Sequence, residues 1–383
     1  MRAVQVSSDI HLLRLFHSPA STRFSNSPQL LLSSHSSFAI VASLRHDFEG
    51  SCQEHRHSWR TPQFQHSQAV NPSANLEQAG GNSGSQITNA LLEKGIFTIT
   101  ALTRSGSKTE LPAGIHHIKH IDYANPSSLV SALHGHDVLI ITLSGTTPKD
   151  TQMALVDAAI DAGVRFIMPN EWSPDTANEG LCQDVPMFGE KAAVREYVAE
   201  KGEGRTACIA MSTGFWYEWM LAMPAAYGFD FEKNTVTFFD DGETVINHST
   251  LPRVGRAVAA LLSLPQESLS QYANKQVYIS SFAASQKDMF ASVLRVTGTK
   301  EEDWQVSYEP AKERHERGLE AMKGGDRMGL ARAMATRVFF KDDCGWFEKT
   351  KGTLNGLLGL PVEDLDEATR AAIERARGMG AGR

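Results

Sequence analysis

The sequence of 383 residues predicts an α/β protein built on a doubly wound parallel sheet, and three observations predict it. From Gly80 onward, strand-sized apolar runs alternate with helical stretches across short connections, as in a parallel sheet covered on both faces. The run DVLIITL at 137–143 is almost wholly apolar, which suits a central strand buried on both sides. Residues 79–104 read AGGNSGSQITNALLEKGIFTITALTR: a glycine-rich loop, an amphipathic helix and a strand that ends in arginine.

The elements follow in order. Two segments could supply the first strand, FAIVA at 38–42 and MRAVQV at 1–6. FAIVA is preferred, because a short unbroken apolar run is what a doubly covered parallel strand looks like. That choice makes 43–78 an insertion between strand and loop, rich in Ser, His and Gln, poor in aliphatic residues, and expected to be disordered. It sits badly there, since the tight turn after the strand positions the loop; a translated intron would account for it. Residues 1–36 carry Arg2, Arg14, Arg23, many serines and only Asp9 as an acid, a loose match to a mitochondrial transit peptide. An untranslated region read as protein would look the same.

A helix at 85–94 is ended by Gly95, and strands at 98–103 and 115–122 follow. Asn125 is placed to cap a helix at 126–133, with Pro126 in its first turn. After the strand at 137–143 come a helix at 150–162 stopped by Gly163, a strand at 165–169, a helix at 185–201 and a strand at 207–211. The right-handed crossover rule leaves a doubly wound order as the economical topology. Past Gly214, aromatic and irregular stretches such as FWYEWM and YGFDF mix with a helix at 251–264 and a strand at 276–280. We read this as a smaller substrate-side portion. Residues 301–383 are charged and mostly helical, with Asp364 or Asp366 placed to cap a last helix. The organisation is an extension at 1–78, a sheet domain at 79–214 and a substrate-side portion at 215–383.

The loop carries the first functional signal. Gly81 and Gly84 let main-chain N–H groups approach a pyrophosphate that a β-carbon would block, and the helix behind them aims its positive end there. Turn-forming and helix-packing glycines are the plain alternative. Asn82 and Ser83 add donors. Arg104 ends the second strand, where NAD-selective proteins carry an acid for the ribose hydroxyls; an arginine favours a 2′-phosphate, with Ser105 and Lys108 as further donors. The expected cofactor is therefore NADPH and the domain a Rossmann-type NAD(P)-binding unit, unless Arg104 is merely solvated. Asp122 contacts the adenine end or caps its loop. Thr142 and Ser144 follow the fourth strand, where the nicotinamide ribose passes, or they form a turn.

Composition narrows the partners. Asp and Glu number 44 against 37 Lys and Arg, and the net charge of -7 argues against a nucleic-acid binder with a basic surface. No apolar run approaches the roughly 20 residues of a membrane span. The four cysteines lack metal-ligand spacing, which points to a reduced, cytoplasmic protein without a metal. HHIKH at 116–120 reads as partly exposed surface.

AGGNSGSQI, TALTR, HIDYANPSSLVSALHGHDVLI, RFIMPNEWSPD, VPMFGEKAAVREY and LGLPVEDL together resemble the NmrA-like and isoflavone-reductase-like proteins, atypical members of the short-chain dehydrogenase superfamily. On position alone Lys191 is a solvated lysine paired with Glu190 or Glu196. The resemblance, through FGEK, implies that it is the catalytic or nicotinamide-contacting base, and that the cofactor is NADPH. Ordinary short-chain dehydrogenases have Tyr-x-x-x-Lys; here Met187 stands in the tyrosine's place. Tyr197 and Lys201 match that spacing, but about two turns too late in the helix. Asn170, Glu171 and Trp172, at the carboxyl end of the fifth strand, should face the ligand crevice. Phe215 and Trp216, with Tyr217 and Trp219, wall a substrate pocket or belong to the core. The implied activity is NADPH-dependent reduction of a small aromatic or conjugated substrate. The rival is a regulatory protein that senses the dinucleotide and contacts a protein partner.

Overall fold

A computed structural model describes residues 38–44, 82–104, 106–107, 110–144 and 147–381. The expectations placed on MRAVQV, on the insertion and on Gly81, Ser105 and Lys108 lie outside the described residues.

The sheet half of the chain contains β1 (Phe38–Leu44), α1 (Asn82–Lys94), β2 (Phe97–Arg104), β3 (His117–Ile121), α2 (Pro126–Leu133), β4 (Val138–Thr142), α3 (Lys149–Asp161), β5 (Phe166–Met168), α4 (Glu179–Asp184), α5 (Pro186–Lys201) and β6 (Ala207–Ser212). The expected stops hold: Gly95 and Gly163 both have positive φ, and the Asn125 side chain accepts from the Ser128 N–H at the start of α2. The later half runs β7 (Phe215–Trp216), α6 (Tyr217–Leu221), α7 (Pro224–Tyr227), β8 (Phe229–Asp230), β9 (Thr235–Phe239), β10 (Ile246–Ser249), α8 (Leu251–Leu262), α9 (Gln266–Ser270), β11 (Lys275–Tyr278), β12 (Phe282–Ala284), α10 (Gln286–Thr297), β13 (Gln305–Glu309), α11 (Ala311–Lys323), α12 (Arg327–Arg337), α13 (Phe347–Lys351) and α14 (Leu365–Ala381).

The main sheet has the order β11-β6-β5-β4-β1-β2-β3. Side-chain alternation sorts its two faces. Ile40, Ala42, Ile99, Val138 and Ile140 pack under α1 and α8, while Ala39, Val41, Leu102, Leu139 and Ile141 pack under α2, α3 and α5. A third, aromatic cluster fills the later half, where the small sheets β12-β10-β7 and β13-β9-β8 lie. Residues 301–383 are mostly helical as expected, with one strand added: Gln305–Glu309 pairs in parallel with β9 through a largely exposed, weakly apolar strand.

The expectation for FAIVA is corrected in direction. It fills the central slot, but β1 is antiparallel to both neighbours, Phe38 lying opposite Thr103 and Thr142 and Leu44 opposite Phe97. The other pairs of this sheet are parallel. A strand apolar on both sides fills the core equally well in either sense, because nothing in its alternation marks a direction. Leu44 consequently ends at the sheet edge where β2 begins, away from the edge where α1 starts.

α1 also begins earlier than expected, so that Asn82, Ser83 and Gly84 form its first turn rather than a loop ahead of it. Its packing against α8 is set by Gly255, where a β-carbon would lie 2.3 Å from the Gln86 carbonyl oxygen.

Candidate functional site

The carboxyl ends of β4, β5, β6 and β11 bring together most of the polar chemistry. After β5 the chain turns through Pro169–Trp172, with Trp172 at φ 22°, a left-handed value that costs a residue with a β-carbon some strain. The turn is held from several sides. The Asn170 N–H donates to Gln152 Oε1 at 2.8 Å, its side chain to the Leu143 carbonyl at 2.9 Å, and the Trp172 indole N–H to the Ile141 carbonyl at 2.8 Å. Trp172 is buried beside Met168, Met211 and Val254. The expectation that it faces an open crevice is corrected: its ring completes the core at the end of β4 and β5.

Lys191 comes up from α5 beneath this turn. It is half-buried, and its Nζ donates to the carbonyls of Asn170 and, at 2.6 Å, of Glu171. Burial pushes the ammonium below the usual lysine range, and the Glu171 carboxylate opposes that shift. Glu171 is buried rather than facing a substrate; its Oε1 accepts from Thr176, Arg195 stands 3.8 Å away, and its Oε2 finds no partner among the described residues. Arg195, one turn after Lys191 on the same helix face, also donates to Thr176 Oγ1 at 2.9 Å and to Gln276, which bonds Ser212. The sequence reading missed Arg195, Thr176 and Gln276; the i,i+4 spacing of Lys191 and Arg195 was the available signal.

The coincidental dyad separates from this site. The Tyr197 hydroxyl donates to Asp157 on α3 at 2.7 Å, and Lys201 pairs with neighbouring Glu200. Met187 packs against the aromatic cluster of the later half. Phe215 is buried with its ring 6.3 Å from that of Phe188, whereas Trp216 is half-buried against the α1–α8 side of the sheet. Of the expected substrate residues, Asn170 and Trp216 keep partial exposure; Glu171, Trp172 and Phe215 do not.

At the other end of the sheet edge, the first turn of α1 carries no acidic side chain, and its N–H groups have no helical acceptors. Arg104 is exposed at the end of β2. Two buried hydroxyls nearby in the chain, Thr103 Oγ1 and Tyr123 Oη, find no partner among the described residues. Burial pushes the Tyr123 hydroxyl up to about 12, against the pull of the Arg104 charge. An exposed guanidinium, a helix start without acidic side chains and hydroxyls without partners among the described residues fit the phosphates of a dinucleotide. Asp122 takes the capping role, its Oδ1 accepting from the Ala124 N–H at 2.9 Å. Thr142 is buried opposite Phe38, and the Ser144 carbonyl accepts from the Thr147 N–H in a turn. His116 accepts from the Ile99 N–H while His117 and His120 are exposed, and no group of His, Cys, Asp and Glu among the described residues is arranged to hold a metal. No helix among the described residues is long and apolar enough to cross a membrane.

A family model described as NmrA-like family matches residues 78–350. Oxidoreductase aprR of Aspergillus flavus is 30% identical over 297 residues, covering 77% of this chain and 97% of the relative. Among solved structures, the Escherichia coli NADPH-dependent quinone oxidoreductase QOR2 complexed with NADPH aligns with a TM-score of 0.57 at 20% identity, over 76% of this chain and 97% of that one. An isoflavone reductase aligns with a TM-score of 0.57 at 18% identity, over 76% and 96%. Both structural likenesses concern the fold.

Proposed function

The chain belongs to the NmrA-like family, and on that premise we propose that it is an NADPH-dependent reductase of the isoflavone-reductase-like type, acting on a small aromatic or conjugated substrate. The observation that carries this reading is the Lys191 ammonium, pinned on two carbonyls of the turn after β5 and held below its usual range by burial. The relatives named as oxidoreductases support an enzyme, and QOR2 with its NADPH supports a nicotinamide dinucleotide. Arg104, with Tyr123 behind it, supports NADPH over NADH.

When bound, the dinucleotide supplies a hydride. The first turn of α1 would hold its pyrophosphate and Arg104 its 2′-phosphate. Lys191 would orient the nicotinamide ribose and, its proton being held less tightly than that of a free lysine, deliver a proton to the reduced substrate. The buried Trp172 ring, its indole N–H on the Ile141 carbonyl, would close the end of β4 and β5 to water. The half-buried Trp216 offers an apolar wall for an aromatic ring.

The test is a titration of the full chain with NADPH and NADH, followed by NADPH oxidation with a quinone series. Lys191→Ala should keep NADPH affinity within about threefold and lower turnover at least a hundredfold, the scale of general acid–base catalysis. Met187, where a tyrosine acid would stand, favours the second reading, a dinucleotide-sensing regulator with a protein partner. Tight NADPH binding with no oxidation by any acceptor would select that reading.

A further inference from the structure

α8 opens at the same sheet edge as the candidate site. Ser249, two residues before its first turn, donates from Oγ to the Thr213 carbonyl at 2.6 Å, just beyond the end of β6. Gly255 lies directly against α1. Four donors at this helix start converge on a single carboxylate, that of Glu363 from the segment before α14. Thr250 Oγ1 donates to it at 2.9 Å, Ser281 Oγ and Arg256 donate to it as well, and Arg253 Nε lies 3.5 Å away.

The charges do not balance. Arg253 and Arg256 meet one carboxylate, and Glu218 faces its own cation in Arg375. Arg253 is 1% exposed, yet its Nη1 finds no acceptor among the described residues, nor does the buried Nε of Arg256. Burying a guanidinium with an unspent donor is costly, and a monoanion cannot satisfy two arginines and two hydroxyls together. A tetrahedral dianion can, with more oxygens and twice the charge. The segment that delivers Glu363 is otherwise lightly attached: Pro361 and Asp364 are exposed, Val362 is 98% exposed, and the Pro361 carbonyl accepts from Arg253.

We propose that the start of α8 is a phosphate-binding site that Glu363 closes from within, so that residues 361–364 form an internal plug displaced by an incoming phosphate dianion. The proposal concerns binding alone and stands apart from the reductase reading.

The test is calorimetric titration of the full chain and of Glu363→Gln with inorganic phosphate, beside hydrogen exchange of the unaltered chain. Glu363→Gln should bind phosphate at least tenfold more tightly than the unaltered chain, and adding Arg256→Ala should abolish that gain. In the unaltered chain, saturating phosphate should speed exchange at 357–365. Competition between NADPH and phosphate in Glu363→Gln would identify the dinucleotide as the source of the phosphate; additive binding would identify a free or substrate-borne phosphate. Equal phosphate affinity with and without Glu363→Gln overturns the proposal. Should that variant fail to fold, unchanged exchange at 357–365 in the unaltered chain overturns it instead.

Discussion

Lys191 shows how one side chain can be legible in a sequence while its environment is not. FGEK on a helix after PNEW was enough to single it out, but nothing in PNEW says that Glu171 turns inward and becomes the anion facing that lysine. Burial is a property of the assembled turn, and the same four letters on an exposed loop would put Glu171 in water. The arrangement has a directional consequence. Glu171 raises the Lys191 pKa against the lowering effect of burial, so Glu171→Gln should lower it further. If protonated Lys191 is the working form, activity in Glu171→Gln should fall away at a lower pH than in the unaltered chain. A pH profile of kcat measures this, and an unmoved alkaline limb would remove Lys191 from the proton-transfer role.

Helices and their stops were largely readable, because caps, glycine stops and apolar periodicity are local signals. The Asn125 cap and α2 matched the expected bounds, and Asp364, rather than Asp366, accepts from the Glu367 N–H at the start of α14. Asp366 instead pairs with Arg295 and Ser292. The short strands of the later half were not readable: β13 pairs across some seventy residues, and neither its composition nor its spacing marks the partner. Two expectations belong to this scale. Gly255→Ala places a methyl group 2.3 Å from a main-chain oxygen of α1, so the two helices must part. The cost should be about 1–3 kcal/mol, read as a lower urea midpoint at unchanged slope.

The second concerns Glu218 on α6, which burial raises to about 7. A carboxyl whose folded pKa lies above its unfolded one stabilises the fold fully below the unfolded value, near 4.5, and loses that contribution as pH rises through 7. Stability should therefore fall by roughly 3 kcal/mol at most between about pH 5 and pH 8 on account of this group. Glu218→Gln should flatten that part of the pH–stability curve, and an unchanged slope would show that Glu218 stays ionised.

At the scale of the whole molecule, a doubly wound sheet follows from right-handed crossovers and the apolar runs, but the place of β11 beside β6, in a stretch read as substrate-side, and the direction of β1 do not. The slot between β2 and β4 demands apolar side chains on both faces and asks nothing about polarity of the chain. In a dinucleotide-binding unit, direction is fixed by the few residues that carry the strand straight into the glycine loop, and here 37 residues separate Leu44 from Asn82. Removing that separation should restore the constraint. A deletion variant that joins Ala42 directly to Ala79 leaves a short glycine-rich turn between strand and helix, which only a parallel strand can enter. Its central strand should reverse, its α1 start should gain the strand-anchored loop, and NADPH should bind at least tenfold more tightly than to the full chain, with NADH gaining less because Arg104 has no 2′-phosphate to meet. Equal NADPH affinity in the two proteins would mean that α1 and Arg104 suffice for the cofactor, and that the sense of the central strand is irrelevant to binding.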